Sequence, residues 1–367
     1  MIRWLYLIPF FPLIQFIRMQ VLYGWMPLGN WRLVMLWCIK LFLLEPLRLI
    51  EAIVMAILPD VDKQPVLILG FYRSGTTYLQ ELLSSGKTKT TLTLFQSVFP
   101  EISLCFSWIL QPILNGISKF SGLQNPYHKM DFSWNFPGEE DVAINAFMFQ
   151  TDYNRIYQYP SQYLKLKKKY QEFETTGSGE QWIENYRYLL KKLHYINGGK
   201  RELVLKSPPN LYRVGLLKKE FPGLKCIFIH RDPFESISSA QLLWKLNNSF
   251  SFEEYTQTEA EQILLDQYKS FYNAFNEQSS SIDLYTLKFE DLVSDTEYSI
   301  KEIYNSLKLT NWDIDYPAIQ RTIQKRNRKE EVLKRQPPPF VQDPEIIRIR
   351  ADLGYVDGQN ETLKQGV

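Results

Sequence analysis

Three short runs of unbroken apolar character, each ending in polar chemistry, set the pattern of this chain. Val66-Leu67-Ile68-Leu69 has no polar position on either face, as a strand buried on both sides requires, and it stops at Gly70. After a polar loop, Thr77, Leu79, Leu82 and Leu83 recur at helical spacing. The same order returns twice. A strand from Glu202 delivers Lys206 and Ser207 at its end, ahead of Pro208-Pro209-Asn210 and a helix from Leu211 to Phe221. A strand Lys225-Cys226-Ile227-Phe228-Ile229-His230 ends in Arg231-Asp232-Pro233, and a helix from Pro233 carries Ser236, Ser238 and Ser239. Three strand-then-helix units predict an α/β fold, a central parallel sheet flanked by helices. Ligands in such sheets sit beyond the carboxyl ends of the strands, where Arg73, Lys206 and Arg231 all fall.

The remaining pattern predicts a helix near 253–278, a strand from Ile282 to Phe289, a turn at Glu290-Asp291-Leu292 and a helix over 295–308. Two helices are expected over 161–196, the second with Trp182, Tyr186, Leu189, Leu190 and Leu193 on one stripe. Region 136–150 reads as a helix started by Pro137 and Gly138, with Glu139, Glu140 and Asp141 in its first turn. Residues 88–135 read as aromatic and irregular, with Pro100, Pro112 and Pro126 breaking any long element.

The first sixty residues differ in character. Trp4 to Ile17 is a run of fourteen uncharged residues between Arg3 and Arg18, interrupted by Pro9 and Pro12. That is shorter than the roughly 20 residues a spanning helix needs. No small-residue cleavage site follows, so the segment is expected to stay attached. A second apolar stretch, Trp31 to Leu58, is broken by Pro46 and carries Lys40, Glu45, Arg48 and Glu51. At about 100° per residue these four charges share one sector of the wheel, and the opposite side is apolar. Such a helix lies in a membrane interface or packs on the protein's own core. Trp4, Trp25, Trp31 and Trp37 with flanking arginines favour the interface, so residues 1–60 form an apolar helical appendage that meets a membrane surface through 1–58. Residues 61–367 form one domain.

Composition excludes several classes. With 367 residues and 45% hydrophobic content the chain builds a sizeable core. A net charge of +2, and no basic stripe with interleaved aromatics, argue against a nucleic-acid partner. Lys165-Leu166-Lys167-Lys168-Lys169 is a solvated helix face, as is the basic run with Arg326 and Arg328. Cys38, Cys105 and Cys226 stand far apart in apolar surroundings and read as buried thiols of a reducing, cytoplasmic compartment. His128, His194 and His230 lack ligand spacing, so no metal site is expected.

The loop after the first strand carries the chemistry. Gly70, Gly75 and Thr77 match the two glycines and the final hydroxyl of a triphosphate loop, but Thr76 stands where its lysine belongs. The cation is Arg73, whose planar fork suits one tetrahedral oxyanion. Backbone N–H groups of Ser74, Gly75, Thr76 and Thr77 and the following helix dipole would complete an anion cradle.

These residues resemble the PAPS-dependent sulfotransferases, which use 3′-phosphoadenosine 5′-phosphosulfate as donor, and more narrowly the bacterial and protist branch related to tyrosylprotein sulfotransferases. Tyr72-Arg73-Ser74-Gly75-Thr76-Thr77 is similar to the family's Pro-Arg-Ser-Gly-Thr-Thr loop. The resemblance implies a P-loop NTPase-like sulfotransferase fold, with that loop binding the 5′-phosphosulfate. It also implies that Arg231 and Ser239, an arginine after a strand and a serine eight residues on, hold the 3′-phosphate. Gly138-Glu139-Glu140-Asp141, Lys206-Ser207-Pro208 and Leu287 to Leu292 resemble further family motifs. Tyr72 departs from the usual proline, and Asn210 stands where many relatives carry histidine, so no histidine base is expected at that strand end.

In-line sulfuryl transfer to a hydroxyl or amine asks for positioning and electrostatics, with no metal. Arg73 and Lys206 are expected to hold the sulfuryl group, with Glu139 or Glu140 as general base and Glu101 and His128 as runners-up. The aromatic 95–136 region points to an apolar or lipid-like acceptor. Two other readings are a P-loop kinase and a non-catalytic nucleotide-binding protein at a membrane.

Overall fold

The computed structural model describes residues 7–23, 31–124, 131–148, 160–164, 167, 178–247, 251, 253, 255–326 and 343–355. Two helices come first, α1 (Phe11–Tyr23) and α2 (Trp31–Ile57). Then follow β1 (Val66–Leu69), α3 (Thr76–Ser84), β2 (Lys89–Thr90), α4 (Leu94–Val98), α5 (Ser103–Phe120) and α6 (Glu140–Met148). Next are α7 (Ser178–Ile196), β3 (Glu202–Lys206), α8 (Asn210–Glu220), β4 (Lys225–His230), α9 (Pro233–Asn247), α10 (Gln257–Ser279) and β5 (Asp283–Lys288). The last are α11 (Phe289–Ser294), α12 (Thr296–Ser306), α13 (Trp312–Arg326) and α14 (Pro344–Asp352).

The strands make one five-stranded parallel sheet in the order β2-β3-β1-β4-β5. Val66 lies opposite Val204 on one side and Lys225 on the other, so β1 is central. Side chains alternate between faces at a period of two. Leu67 and Leu69 join Leu205 and Phe228 in a cluster with α7 to α10, whereas Val66 and Ile68 join Ile227 and Ile229 in a second cluster under α3 and α12. Burial on both faces is what made these strands read as unbroken apolar runs. The register aligns the ends of β1, β3 and β4, which brings the Arg73 loop, Lys206 and Arg231 to one edge.

Phe11, Phe16 and Ala52 belong to the same apolar cluster as Leu67 and Leu69, so the two N-terminal helices pack on the sheet domain. Lys40, Glu45, Arg48 and Glu51 do share one side of α2, and that side faces the protein. Glu45 and Arg48 pair at 2.6 Å, and Glu51 accepts from the backbone N–H of Leu104 and Cys105 and pairs with Lys192 at 2.7 Å. No helix among the described residues is long and apolar enough to cross a membrane.

Several expectations are corrected. Pro46 does not break α2, and Pro112 lies inside the 18-residue α5, so the middle of region 88–135 is one long helix, while Pro100 does fall between α4 and α5. A proline deletes one helical hydrogen bond and crowds the carbonyl four residues back. Those carbonyls belong to Phe42 and Trp108, both exposed, so each helix can bend outward there. Tertiary bonds hold α5 in line: Trp134 donates its N–H to Asn115 at 2.8 Å and its indole N–H to Ser118 at 3.1 Å. The expected turn at 290–292 is the short helix α11. Cys38 and Cys105 are only half-buried; Cys226 is buried, which pushes its thiol up to about 12. His128, Arg328 and most of the first helix expected over 161–196 lie outside the described residues.

Candidate active site

The loop after β1 is wound tightly. Ser74 closes it, donating both its hydroxyl, at 2.6 Å, and its N–H, at 3.3 Å, to the carbonyl of Phe71. Arg73 follows the turn in the left-handed region, at φ 64. Gly75 stands at φ 91, and a Cβ there would fall 2.2 Å from the ring of Phe289. Only glycine meets both demands. No side chain caps the start of α3 at Gly75, which leaves first-turn N–H groups pointing to the sheet edge, as an anion site needs.

Arg73 leans toward α9, where its Nε donates to Ser239 Oγ at 2.9 Å. Arg231 lies 5.0 Å above the ring of Phe289 and reaches Glu235 at 3.3 Å. Phe289 therefore packs against Gly75 and also carries Arg231 over its ring. The next residue, Asp232, is gripped from α14: Arg350 Nε lies 3.0 Å from both carboxylate oxygens. Tyr355 donates to Glu290 at 2.7 Å and sets its ring edge-on to His230. Burial, with the charge of Lys288 adding, depresses His230 to about 4, so it is neutral at physiological pH. His230 Nδ1 and Ser236 Oγ are buried without a hydrogen-bond partner, and both residues line a hollow beside Arg231.

On the other side of the loop the three consecutive acids take three roles. Glu139, just ahead of α6, forms an ion pair with Lys206 and keeps 28% side-chain exposure. Glu140 is fully buried; it accepts from the N–H of Lys206 at 3.1 Å and from Asn210 Nδ2 at 2.6 Å. Burial pushes its carboxyl up to about 7, with the charges of Asp141 and Glu139 adding and its hydrogen bonds opposing. Asp141 forms a buried two-pronged pair with Arg213 at 2.9 and 2.6 Å, and that guanidinium lies 4.1 Å from the Trp182 ring centroid. Gly138 permits this arrangement, because a Cβ there would sit 2.0 Å from Ser97 Oγ.

Arg73 and Ser239 are thus in contact, and Lys206 and Glu139 are in contact. Glu101 is held elsewhere, 2.8 Å from Lys40 of α2, and His128 lies outside the described residues. Sequence reasoning missed the Phe289 platform, the Asp141–Arg213 support and the Arg350 clamp. Among the described residues, no group of three His, Cys, Asp or Glu is placed to hold a metal ion.

The profile described as the sulfotransferase family matches residues 65–313, more than half of the chain and all three sheet-edge cations. The chain belongs to the sulfotransferase family. It is 25% identical over 264 residues to omega-hydroxy-beta-dihydromenaquinone-9 sulfotransferases of Mycobacterium bovis and Mycobacterium tuberculosis, covering 70% of this chain and 66% of theirs. The match therefore spans just under two-thirds of those relatives. A solved sulfotransferase from Mycobacterium tuberculosis H37Rv is similar at a TM-score of 0.59 and 19% identity, over 77% of this chain and 79% of that one. One from Mycobacterium avium is similar at 0.60 and 19%, over 77% and 71%. At that identity these two likenesses show the sulfotransferase fold.

Proposed function

We propose that this sulfotransferase moves the sulfuryl group of 3′-phosphoadenosine 5′-phosphosulfate to a hydroxyl, or an amine, of an apolar, lipid-like acceptor. The observation that carries the reading is the contact between Arg73 and Ser239, which joins a cradle fit for a phosphosulfate to the helix expected to bind a 3′-phosphate. The two anchors suit one donor bearing anions at both ends. Arg73 and the N–H groups of Gly75, Thr76 and Thr77 hold the 5′-phosphosulfate, with Ser74 shaping the turn. Arg231 and Ser239 take the 3′-phosphate, and the hollow with two unpartnered polar atoms accommodates part of the nucleoside.

In the transfer the acceptor oxygen attacks sulfur in line, and the bond between sulfur and the bridging oxygen breaks. Adenosine 3′,5′-bisphosphate leaves with the electron pair, and the acceptor proton passes to a carboxylate. Glu139 is the carboxylate we assign, since Glu140 is sealed behind it. Lys206, paired to Glu139, holds that base in place and offsets charge on the leaving oxygen. Glu140 is a positioning residue that fixes the end of β3.

The lipid-like acceptor rests on the curated relatives, which are named for an omega-hydroxylated dihydromenaquinone. Residues 61–367 form the transferase domain in this reading, and residues 1–60 are an appendage that meets a membrane on its cytoplasmic side. The test offers labelled donor to a lipid extract and to a water-soluble extract, with the wild type and Arg73→Ala side by side. Arg73-dependent label in the lipid fraction supports the reading. Label confined to the soluble fraction would refute the acceptor class.

A further inference from the structure

The helices α1, α2 and α5 depart from the usual arrangement of a surface helix, which turns its apolar stripe inward and its charges to water, because each also carries large apolar residues outward. Val21, Leu36, Phe42, Leu43, Trp108 and Phe120 are each 61% to 96% exposed. Beyond Arg32, the charges of α2 point the other way. Lys40 donates to the carbonyl of Val98 at 2.7 Å and pairs with Glu101; Glu45 pairs with Arg48 and accepts from the N–H of Phe10 at 2.7 Å. Glu51 holds the start of α5 and the ammonium of Lys192. Rolling α2 over to hide its apolar side would strand these buried ions, at a cost well above that of the exposed surface. The outward apolar face is therefore enforced by the interior.

The charges that remain outside point to what covers it. Within α1, α2 and α5 the acidic residues are Glu45 and Glu51, and both are buried. The exposed charges there are Arg18, Arg32 and Lys119, all cationic. Arg32 sits 5.8 Å from the Trp31 ring centroid at the start of α2, a pairing suited to a headgroup layer. Exposed charges of one sign, on helices whose outward residues are apolar, complement an anionic lipid surface. We infer that α1, α2 and α5 form a monotopic docking face for a bilayer with anionic headgroups, the outward side chains entering its acyl boundary. The inference deepens the acceptor proposed above by giving it a source, but it stands on these helices alone.

The test is flotation of the full chain with phosphatidylcholine vesicles, with and without phosphatidylglycerol. Two variants accompany it, Phe42→Glu/Leu43→Glu/Trp108→Glu and Arg18→Glu/Arg32→Glu/Lys119→Glu, all at exposed positions. The wild type floats with the anionic vesicles. The apolar variant loses at least about tenfold in partition coefficient, and the charge variant about fivefold per cation at low salt. Both variants keep wild-type affinity for adenosine 3′,5′-bisphosphate, which separates a failed docking face from a failed donor site. A wild type that stays with the aqueous fraction, or an apolar variant that floats equally, would overturn the inference. So would light scattering that shows a lipid-free dimer which the apolar variant dissolves, because a second copy would then be the occupant.

Discussion

Arg73 Nε and Ser239 Oγ, 166 residues apart in sequence, meet at 2.9 Å. The guanidinium that should grip the sulfuryl end of the donor thus touches the helix assigned to its other phosphate. Arg73 reaches this place from a backbone at φ 64, a conformation that costs a non-glycine residue about 1 kcal/mol or more. Strain tolerated beside the proposed chemistry is what a pre-formed anion cradle would require.

Replacing Arg73 separates strain from function. Arg73→Ala and Arg73→Gly should each lower kcat about a hundredfold or more, through loss of a preorganised donor to the developing charge. Arg73→Gly should nonetheless be more stable than Arg73→Ala by about 1 kcal/mol, because glycine accepts the positive φ. Urea unfolding with steady-state turnover checks both; equal stability would count against strain at this turn.

Arg231→Ala should weaken adenosine 3′,5′-bisphosphate by about ten- to a hundredfold, the scale of a hydrogen-bonded charge. Adenosine 5′-phosphosulfate, which lacks the 3′-phosphate, should bind as before. Calorimetry with the two ligands reads this directly, and parallel losses would move the 3′-phosphate site elsewhere.

Glu139→Gln should cut kcat by about a hundredfold to ten-thousandfold, with donor KM little changed. Glu140→Gln, which alters only the support of Lys206 and Asn210, should lose far less. The reverse result would exchange the two roles.

Glu140 also carries a pH signature in stability. Its carboxyl is raised from 4.5 to about 7, so between these values the folded chain binds a proton that the unfolded chain has released. The stability contributed is fully present below about 4.5 and is lost as pH rises through about 7. Glu140→Gln should flatten the stability profile over that window, by an amount on the order of 3 kcal/mol. Asn210 can accommodate the change by turning its amide, since its Oδ1 is buried without a partner. Denaturant titrations from pH 4 to pH 8 test this.

Asp141→Asn should destabilise the fold by about 3–5 kcal/mol, because it strands the buried Arg213 guanidinium. Replacing both partners with apolar residues should cost less than the single change. A negligible effect of Asp141→Asn on urea unfolding would contradict a structural role for the pair.

How much of this was legible depended on how local each cause is. Val66 to Leu69 and Cys226 to Ile229 could be read as strands because both faces of each are buried, which leaves a signature in the residues themselves. Lys89 and Thr90 form the edge strand β2 but look polar; Lys89 is buried because Asp315, Glu202 and the carbonyl of Thr310 meet its ammonium. Pro46 and Pro112 were read as breaks, since a proline's cost depends on which way its helix faces, a tertiary fact. The acids at 139–141 stood out as candidates. Their division of labour did not, because it is set by Lys206, Asn210 and Arg213, some seventy residues downstream.

The most direct test of the account is a single-turnover assay with sulfur-labelled 3′-phosphoadenosine 5′-phosphosulfate and a lipid extract as acceptor, followed by separation of lipid, nucleotide and inorganic sulfate. The wild type should move label to a lipid product with one adenosine 3′,5′-bisphosphate released per label transferred, and Arg73→Ala should move none. Release of inorganic sulfate alone, or transfer that survives Arg73→Ala, would contradict it.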